Sequence, residues 1–284
     1  MPVLDPAEPE PFAVSTAETV IEGESSGAGP AIVLCHGLSA TRRYVVHGSK
    51  VLPRKGYRLH VYDARGHGQS EGADEYTYEK LADDLDAVVE YHGVAGPFVL
   101  GGHSMGCHTA VTYALRHPGR VSALILIGPV YTGDEDDLDL GRWDERADAL
   151  KNGGPDEFAR VIRSHVDAPE EVRDRIMDLA RGRAELHRHP EAVAEALRQI
   201  PRSRPFVSLT DLASLDVPAL VVGSHDEFDD GHPYAVSLRY AEELPRASHI
   251  SEEEGDSPMS WQGGRLSREI ATFLESSGLG PTAE

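Results

Sequence analysis

Pro97 to Leu115 reads PFVLGGHSMGCHTAVTYAL. Phe98, Val99 and Leu100 form a short apolar run that stops at two glycines, and after Met105 the residues Ala110, Val111, Ala114 and Leu115 recur with the spacing of one helical face. Between strand and helix stands Gly102-His103-Ser104-Met105-Gly106, a G-x-S-x-G pattern. Small residues two before and two after the serine permit a tight strand-to-helix turn that projects its hydroxyl. The helix start behind Ser104 offers unpaired N–H groups and a partial positive charge to a developing oxyanion. Ser104 is the candidate nucleophile.

Outward from this stretch, the same texture repeats. AIVLC (Ala31 to Cys35), YRLHVYD (Tyr57 to Asp63), VSALILIG (Val121 to Gly128) and VPALVVG (Val217 to Gly223) are apolar runs that end in Gly, Asp or Cys-His. Continuous apolar character marks strands buried on both faces, as in a parallel sheet sandwiched by helices. Leu81, Leu85, Val88 and Val89, and again Leu266, Ile270, Phe273 and Leu274, have the spacing of core-facing helical stripes. Strand and helix alternate, so the fold class is α/β, a mostly parallel doubly wound sheet whose ligands bind beyond the carboxyl ends of the strands. Phe12 to Ile21 alternates and predicts an edge strand or hairpin. From Tyr131 to Phe206 no strand pattern occurs, only charged, helix-favouring runs such as that carrying Val161, Ile162 and Val166 and that carrying Val172, Ile176 and Leu179. This predicts a core over 1–130 and 207–284 and a helical cap over 131–206.

Composition narrows the function. The 284 residues carry 48 acidic and 27 basic side chains, a formal net charge of -21. Such a chain repels phosphate backbones and anionic headgroups, which argues against nucleic-acid binding and electrostatic membrane docking. No apolar run approaches the roughly 18 residues a membrane span needs, and MPVLDPAEPEPF has no basic-then-apolar leader pattern, so no membrane insertion and a cytoplasmic address are expected. The two cysteines, Cys35 and Cys107, read as small core residues. Neither a phosphate-binding glycine loop nor a metal-ligand cluster is present, so no cofactor and no metal are expected. The acidic run Asp134 to Asp139 lacks the glycine and terminal glutamate of a calcium loop and reads as a solvated loop entering the cap. A small, partly apolar substrate is the expected partner, and a homo-oligomer is compatible with the sequence.

The chain from about residue 30 to 275, the cap apart, resembles the α/β-hydrolase fold family. His36-Gly37 after AIVLC matches that family's oxyanion loop, and the resemblance implies the backbone N–H groups of Leu38 and Met105 as the two oxyanion donors. Asp63-Ala64-Arg65-Gly66-His67-Gly68-Gln69-Ser70 is similar to the family's turn after the next strand, where His67 reads as a structural loop residue. In this family the acid and then the histidine follow the serine. Asp226, just past the VPALVVG strand, matches the acid, but the following proline, Pro233, lies later than in the family pattern. Asp229 fits the proline spacing and Asp226 fits the strand, so this loop has gained about three residues.

The larger departure is at the base. Where the family reads G-H-x-P, this chain reads Gly255-Asp256-Ser257-Pro258, with Asp256 at the histidine position. A carboxylate of ordinary pKa near 3.9 is a poor acceptor for a serine proton at neutral pH. Three readings follow. In the first, His232, or in second place His225, reaches Ser104 from the enlarged loop while Asp256 orients it, giving a serine-dependent hydrolase of small esters with a non-standard triad. In the second, the oxyanion hole polarises a carbonyl and a desolvated Asp256 moves a proton, as in a lyase or isomerase. In the third, the fold is a non-catalytic small-molecule binder. His103 and His108 beside the serine, and His249 in the last strand, read as structural.

Overall fold

The apolar runs become adjacent strands of one sheet in the computed structural model, which describes residues 7–133, 139–229 and 231–281. A hairpin of β1 (Glu10–Ser15) and β2 (Val20–Ser26) precedes β3 (Ala31–Cys35), a short helix α1 (Val51–Arg54) and β4 (Arg58–Tyr62). Then follow α2 (Tyr78–Tyr91), β5 (Phe98–His103), α3 (Met105–Arg116) and β6 (Val121–Ile127). Three helices come next, α4 (Leu140–His165), α5 (Glu170–Ala184) and α6 (Pro190–Gln199). The chain closes with β7 (Ala219–Val222), α7 (Tyr234–Glu243), β8 (Ala247–Ile250) and α8 (Gly263–Ser276). The expected edge hairpin is present, and the expected strands end within a residue or two of their predicted limits.

The strand order is β1-β2-β4-β3-β5-β6-β7-β8. β3 to β8 pair in parallel with their neighbours, whereas β2 runs antiparallel to both β1 and β4. The fold is therefore the mostly parallel, helix-flanked sheet that the sequence predicts. Alternate residues of each strand feed opposite layers, because successive side chains point to opposite faces. Val33, Leu100, Leu124 and Val221 join α2 and α3 on one side. Ile32, Val99, Ile125 and Val222 join Leu266, Ile270 and Leu274 of α8 on the other.

After β3 the chain crosses to β4 on one side and then returns to place β5 on the other. The carboxyl ends of β3 and β5 thus diverge at a topological switch point, where a crevice opens. The helices α4 to α6 form their own apolar cluster of Ala147, Leu150, Phe158, Val193 and Leu197. Leu38, from the loop after β3, packs against it, which brings this insertion to the crevice. α4 is broken at Gly154-Pro155, where Gly154 takes a non-helical φ of 67°. Among the described residues no helix is long and apolar enough to cross a membrane. Of the acidic run 134–139, only Asp139 falls within the described residues, and its carboxylate caps α4.

Candidate active site

Ser104 sits between the last residue of β5 and the first of α3 with φ 53° and ψ -114°. A non-glycine residue held at positive φ is costly and persists only where its surroundings enforce it. The glycines of the motif supply that enforcement. A Cβ on Gly106 would lie 2.1 Å from the carbonyl oxygen of Cys35, and one on Gly102 would lie 2.5 Å from the same oxygen. Only glycine lets the start of α3 press this closely on the end of β3. The Ser104 N–H donates to the Ile127 carbonyl at 2.9 Å, fixing the elbow to the end of β6.

The loop after β3 meets the elbow directly. A Cβ on Gly37 would stand 3.4 Å from the Ser104 Cβ. Among the described residues, the N–H groups of Leu38 and Met105 donate no hydrogen bond. Unpaired backbone donors in packed structure are rare, and two beside one serine suit an incoming oxyanion. The turn after β4 holds this loop in place. His36 Nε2 accepts from the Ala64 N–H at 2.8 Å, His67 Nε2 accepts from the Ser39 N–H at 3.3 Å, and Asp63 accepts from the Arg42 N–H at 2.8 Å. His67 is buried and has this bracing role, beside His187, whose Nδ1 accepts from the Gly68 N–H.

The loop after β7 brings a histidine to the same corner. His232 Nδ1 lies 2.8 Å from Asp229 Oδ2, and the ring centroid of His232 is 4.9 Å from that of His103, the residue preceding the serine. Its Cδ2 edge lies over Gly128, which follows Ile127, the acceptor of the Ser104 N–H. His232 Nε2 has no hydrogen-bond partner among the described residues, and neither has the Ser104 hydroxyl. Burial raises the Asp229 carboxyl, but the adjacent imidazole more than reverses this, so it is held below the ordinary carboxylate range. An ionised Asp229 fixes the proton of His232 on Nδ1 and leaves Nε2 as the acceptor. His103 is held well below the ordinary histidine range by burial and then by His232, and so is neutral.

The other expected residues are placed differently. Asp256 is exposed in a surface turn and makes no side-chain hydrogen bond among the described residues, so the orienting contact expected of it with His232 is absent. The desolvation that would have suited it to proton transfer is absent for the same reason. Asp226 Oδ1 accepts from the Phe228 N–H at 3.1 Å and shapes the turn, while Asp229, three residues later, faces the histidine. His225 stacks on Tyr234, His249 bonds the Ser237 hydroxyl, and His108 accepts from the Val130 and Tyr131 N–H groups. Cys35 and Cys107 are buried free thiols, and burial pushes the Cys35 thiol up to about 12.

Of three further groups near the site, two were not singled out from sequence and His103 was read as structural. Buried Glu252 accepts from the Ser224 hydroxyl and the His225 N–H with one oxygen and from the Met259 N–H with the other, tying the loops after β7 and β8 together. His103, read as structural, lines two recesses, one with His232 and Asp229 and one with Arg183, His47 and Trp261. Arg183, from α5, is the third. An acidic residue at the end of a strand or an arginine in a charged helix has no local signature. Only the tertiary apposition of loops marks them. Among the described residues no cluster of histidine, cysteine and carboxylate could hold a metal ion.

Comparison with known proteins gives a family and a fold. The family described as alpha/beta hydrolase fold matches residues 30–206, well over half of the chain. The match stops short of the loop that carries Asp229 and His232. The sn-1-specific diacylglycerol lipase ABHD11 of Mus musculus is 39% identical over 106 residues, covering 36% of this chain and 34% of the lipase. The AB hydrolase superfamily protein YisY of Bacillus subtilis is 36% identical over 114 residues, covering 38% of this chain and 42% of that protein. The matched segment thus spans well under half the length of these relatives. A solved thermophilic esterase from Thermogutta terrifontis superimposes with a TM-score of 0.78 at 24% identity, covering 94% of this chain and 99% of the esterase.

Proposed function

The chain belongs to the α/β-hydrolase fold family, and from that premise we propose that it is a serine-dependent hydrolase of small esters or related carbonyl compounds, with Ser104, His232 and Asp229 as its triad. The observation that carries this reading is the His232–Asp229 pair, with Nε2 left free, against the residue preceding a strained serine. His232 Nε2 takes the proton of Ser104 as Oγ bonds to the acyl carbon, and the carbonyl oxygen becomes an oxyanion that the Leu38 and Met105 N–H groups hold. The imidazolium, steadied by Asp229, returns the proton to the leaving alkoxide as the ester C–O bond breaks. A water then repeats the sequence on the acyl-enzyme, releasing the acid and restoring Ser104.

Residues 131–206 are the cap in this proposal. Leu38, Met105, Ala192, Ala196 and Ile200 form a cluster beside the elbow, which gives the acyl pocket an apolar wall. The lipase and esterase among the similar proteins support an ester as substrate. The lyase or isomerase reading needed a desolvated Asp256, and its exposure leaves that reading without support. The non-catalytic reading does not account for unpaired oxyanion donors beside a strained serine.

Turnover of short-chain p-nitrophenyl esters at pH 7 to 9 tests the proposal. His232→Ala is expected to lower kcat by about 10^2- to 10^4-fold and Asp229→Asn by on the order of 10^2-fold or more, while Asp256→Ala leaves it within about twofold. Absence of turnover by the unaltered protein, or near-full activity in His232→Ala, would contradict it.

A further inference from the structure

In a chain with a net charge of -21, the guanidinium of Arg183 makes no ion pair with a carboxylate among the described residues. Four other arginines of the insertion do: Arg163 pairs with Asp174, Arg181 with Asp156, Arg198 with Asp148 and Arg202 with Asp144. Arg183 instead lies between two aromatic faces, its guanidinium carbon 4.8 Å from the ring centroid of Trp261 and 5.5 Å from that of Tyr44. Its Nε is sealed from solvent and has no hydrogen-bond partner among the described residues. Cation–π contact with the two rings offsets only part of what taking the guanidinium largely out of water costs. Its place in the last turn of α5 adds a favourable helix-end field but no hydrogen-bond acceptor for the Nε. The Nε donor is therefore left without an acceptor among the described residues.

Arg183 lines a recess with Ala40, Tyr44, His47, His103 and Ser260. His103 and Ser260 also line the neighbouring recess, with His232 and Asp229. The arginine thus lines a recess that shares His103 and Ser260 with the recess of His232 and Asp229. His47 adds no fixed charge, because its Nε2 is engaged with the Ser260 carbonyl and burial holds it below the ordinary histidine range. One guanidinium with planar donors fits one carboxylate, to which it presents two parallel hydrogen bonds. Asp229 favours the Arg183 charge through space, but its carboxylate is bonded to His232 and makes no hydrogen bond or ion pair with the guanidinium.

We infer that Arg183 is a substrate-recognition residue that binds a carboxylate, so that the preferred substrate is a carboxylate-bearing ester with its anionic group against Arg183 and its scissile carbonyl at Ser104. The inference deepens the proposed hydrolase function and rests on it for the position of the ester, but the anion site can be tested apart from catalysis.

The test is calorimetric titration of the Ser104→Ala protein with monomethyl glutarate and with dimethyl glutarate. The monoanion is expected to bind about tenfold more tightly or better than the neutral diester, as for a charged hydrogen-bonded contact. Arg183→Met, which keeps the length and packing between the rings, is expected to abolish this preference, and Arg183→Lys to retain part of it. Arg183→Gln supplies the comparison if the methionine variant fails to fold by circular dichroism. Equal binding of the two ligands, no binding of either, or a preference that survives loss of the guanidinium would overturn the inference. Failure of the hydrolase reading looks different: the preference would be intact while the unaltered protein turned over neither monomethyl glutarate nor a p-nitrophenyl ester.

Discussion

At Glu252 one carboxylate accepts from Ser224, His225 and Met259, so the loop that carries Asp229 and His232 is tied to the loop that carries Asp256. Burial raises its carboxyl, but these donors more than offset that and hold it below the ordinary glutamate value of 4.5. A carboxyl lowered by folding contributes stability above its unfolded value and loses that contribution as the pH falls through the folded one. Glu252→Gln replaces one acceptor oxygen by an NH2 group that must face an N–H or hydroxyl. It is expected to cost about 1 to 3 kcal/mol at pH 7 by urea unfolding, with the gap to the unaltered protein narrowing below pH 4.5. An unchanged midpoint at pH 7 would show that the clasp carries no weight. The same scale explains why the acid was ambiguous in the sequence. Asp226 and Asp229 are three residues apart in one loop, and only the direction each takes in the turn separates the one that bonds Phe228 from the one that bonds His232.

Among elements, the unit β5–Ser104–α3 was the most legible, because each of its requirements is local: an apolar strand, small residues around the serine and an apolar helical face. The structure adds the reason that glycine is needed at 106, the approach of α3 to the Cys35 carbonyl. Backbone cannot withdraw from a new methyl as a flexible side chain can, so Gly106→Ala is expected to destabilise the protein by about 3 kcal/mol or more and to displace Ser104. Differential scanning calorimetry reads the first effect and ester turnover the second, and a neutral outcome in both would refute the packing argument. The helical insertion was legible as helices but not in what it brings to the crevice. Val172, Ile176 and Leu179 have core-like spacing, yet Leu179 is 45% exposed, whereas charged Arg183 on the same helix enters the site. Periodicity reports which face a helix can bury, and a lone arginine among many gives no period.

At the scale of the whole molecule, five histidines are buried and wired as neutral rings: His36, His60, His67, His108 and His187. Burial lowers each of them, to about 4 for His187 and about 3 for His60 and His108. The unfolded chain binds protons at these rings from about pH 6.5 downward and the folded chain does not, so their contribution is full above that pH and falls as the solution is acidified toward the folded values. Relief of repulsion in a chain of charge -21 acts in the opposite direction. The buried rings are expected to win, with Tm falling from about pH 6.5 toward pH 4 and His187→Gln making the fall shallower. A Tm that holds or rises across that interval would show that charge relief dominates. The sequence carried the count of histidines but not which were buried: His36, His67 and His187 owe it to the turn after β4, His60 to the β2–β4 pairing and His108 to the segment after β6.

The proposed function turns on His232 as the group that takes the proton of Ser104. The rate at which a fluorophosphonate probe labels Ser104 measures that step without any assumption about substrate. The expected result is labelling confined to Ser104, slowed by about 10^2-fold or more in His232→Ala and unchanged in Asp256→Ala. Labelling that is absent in the unaltered protein, or as fast in His232→Ala as without the substitution, would contradict it.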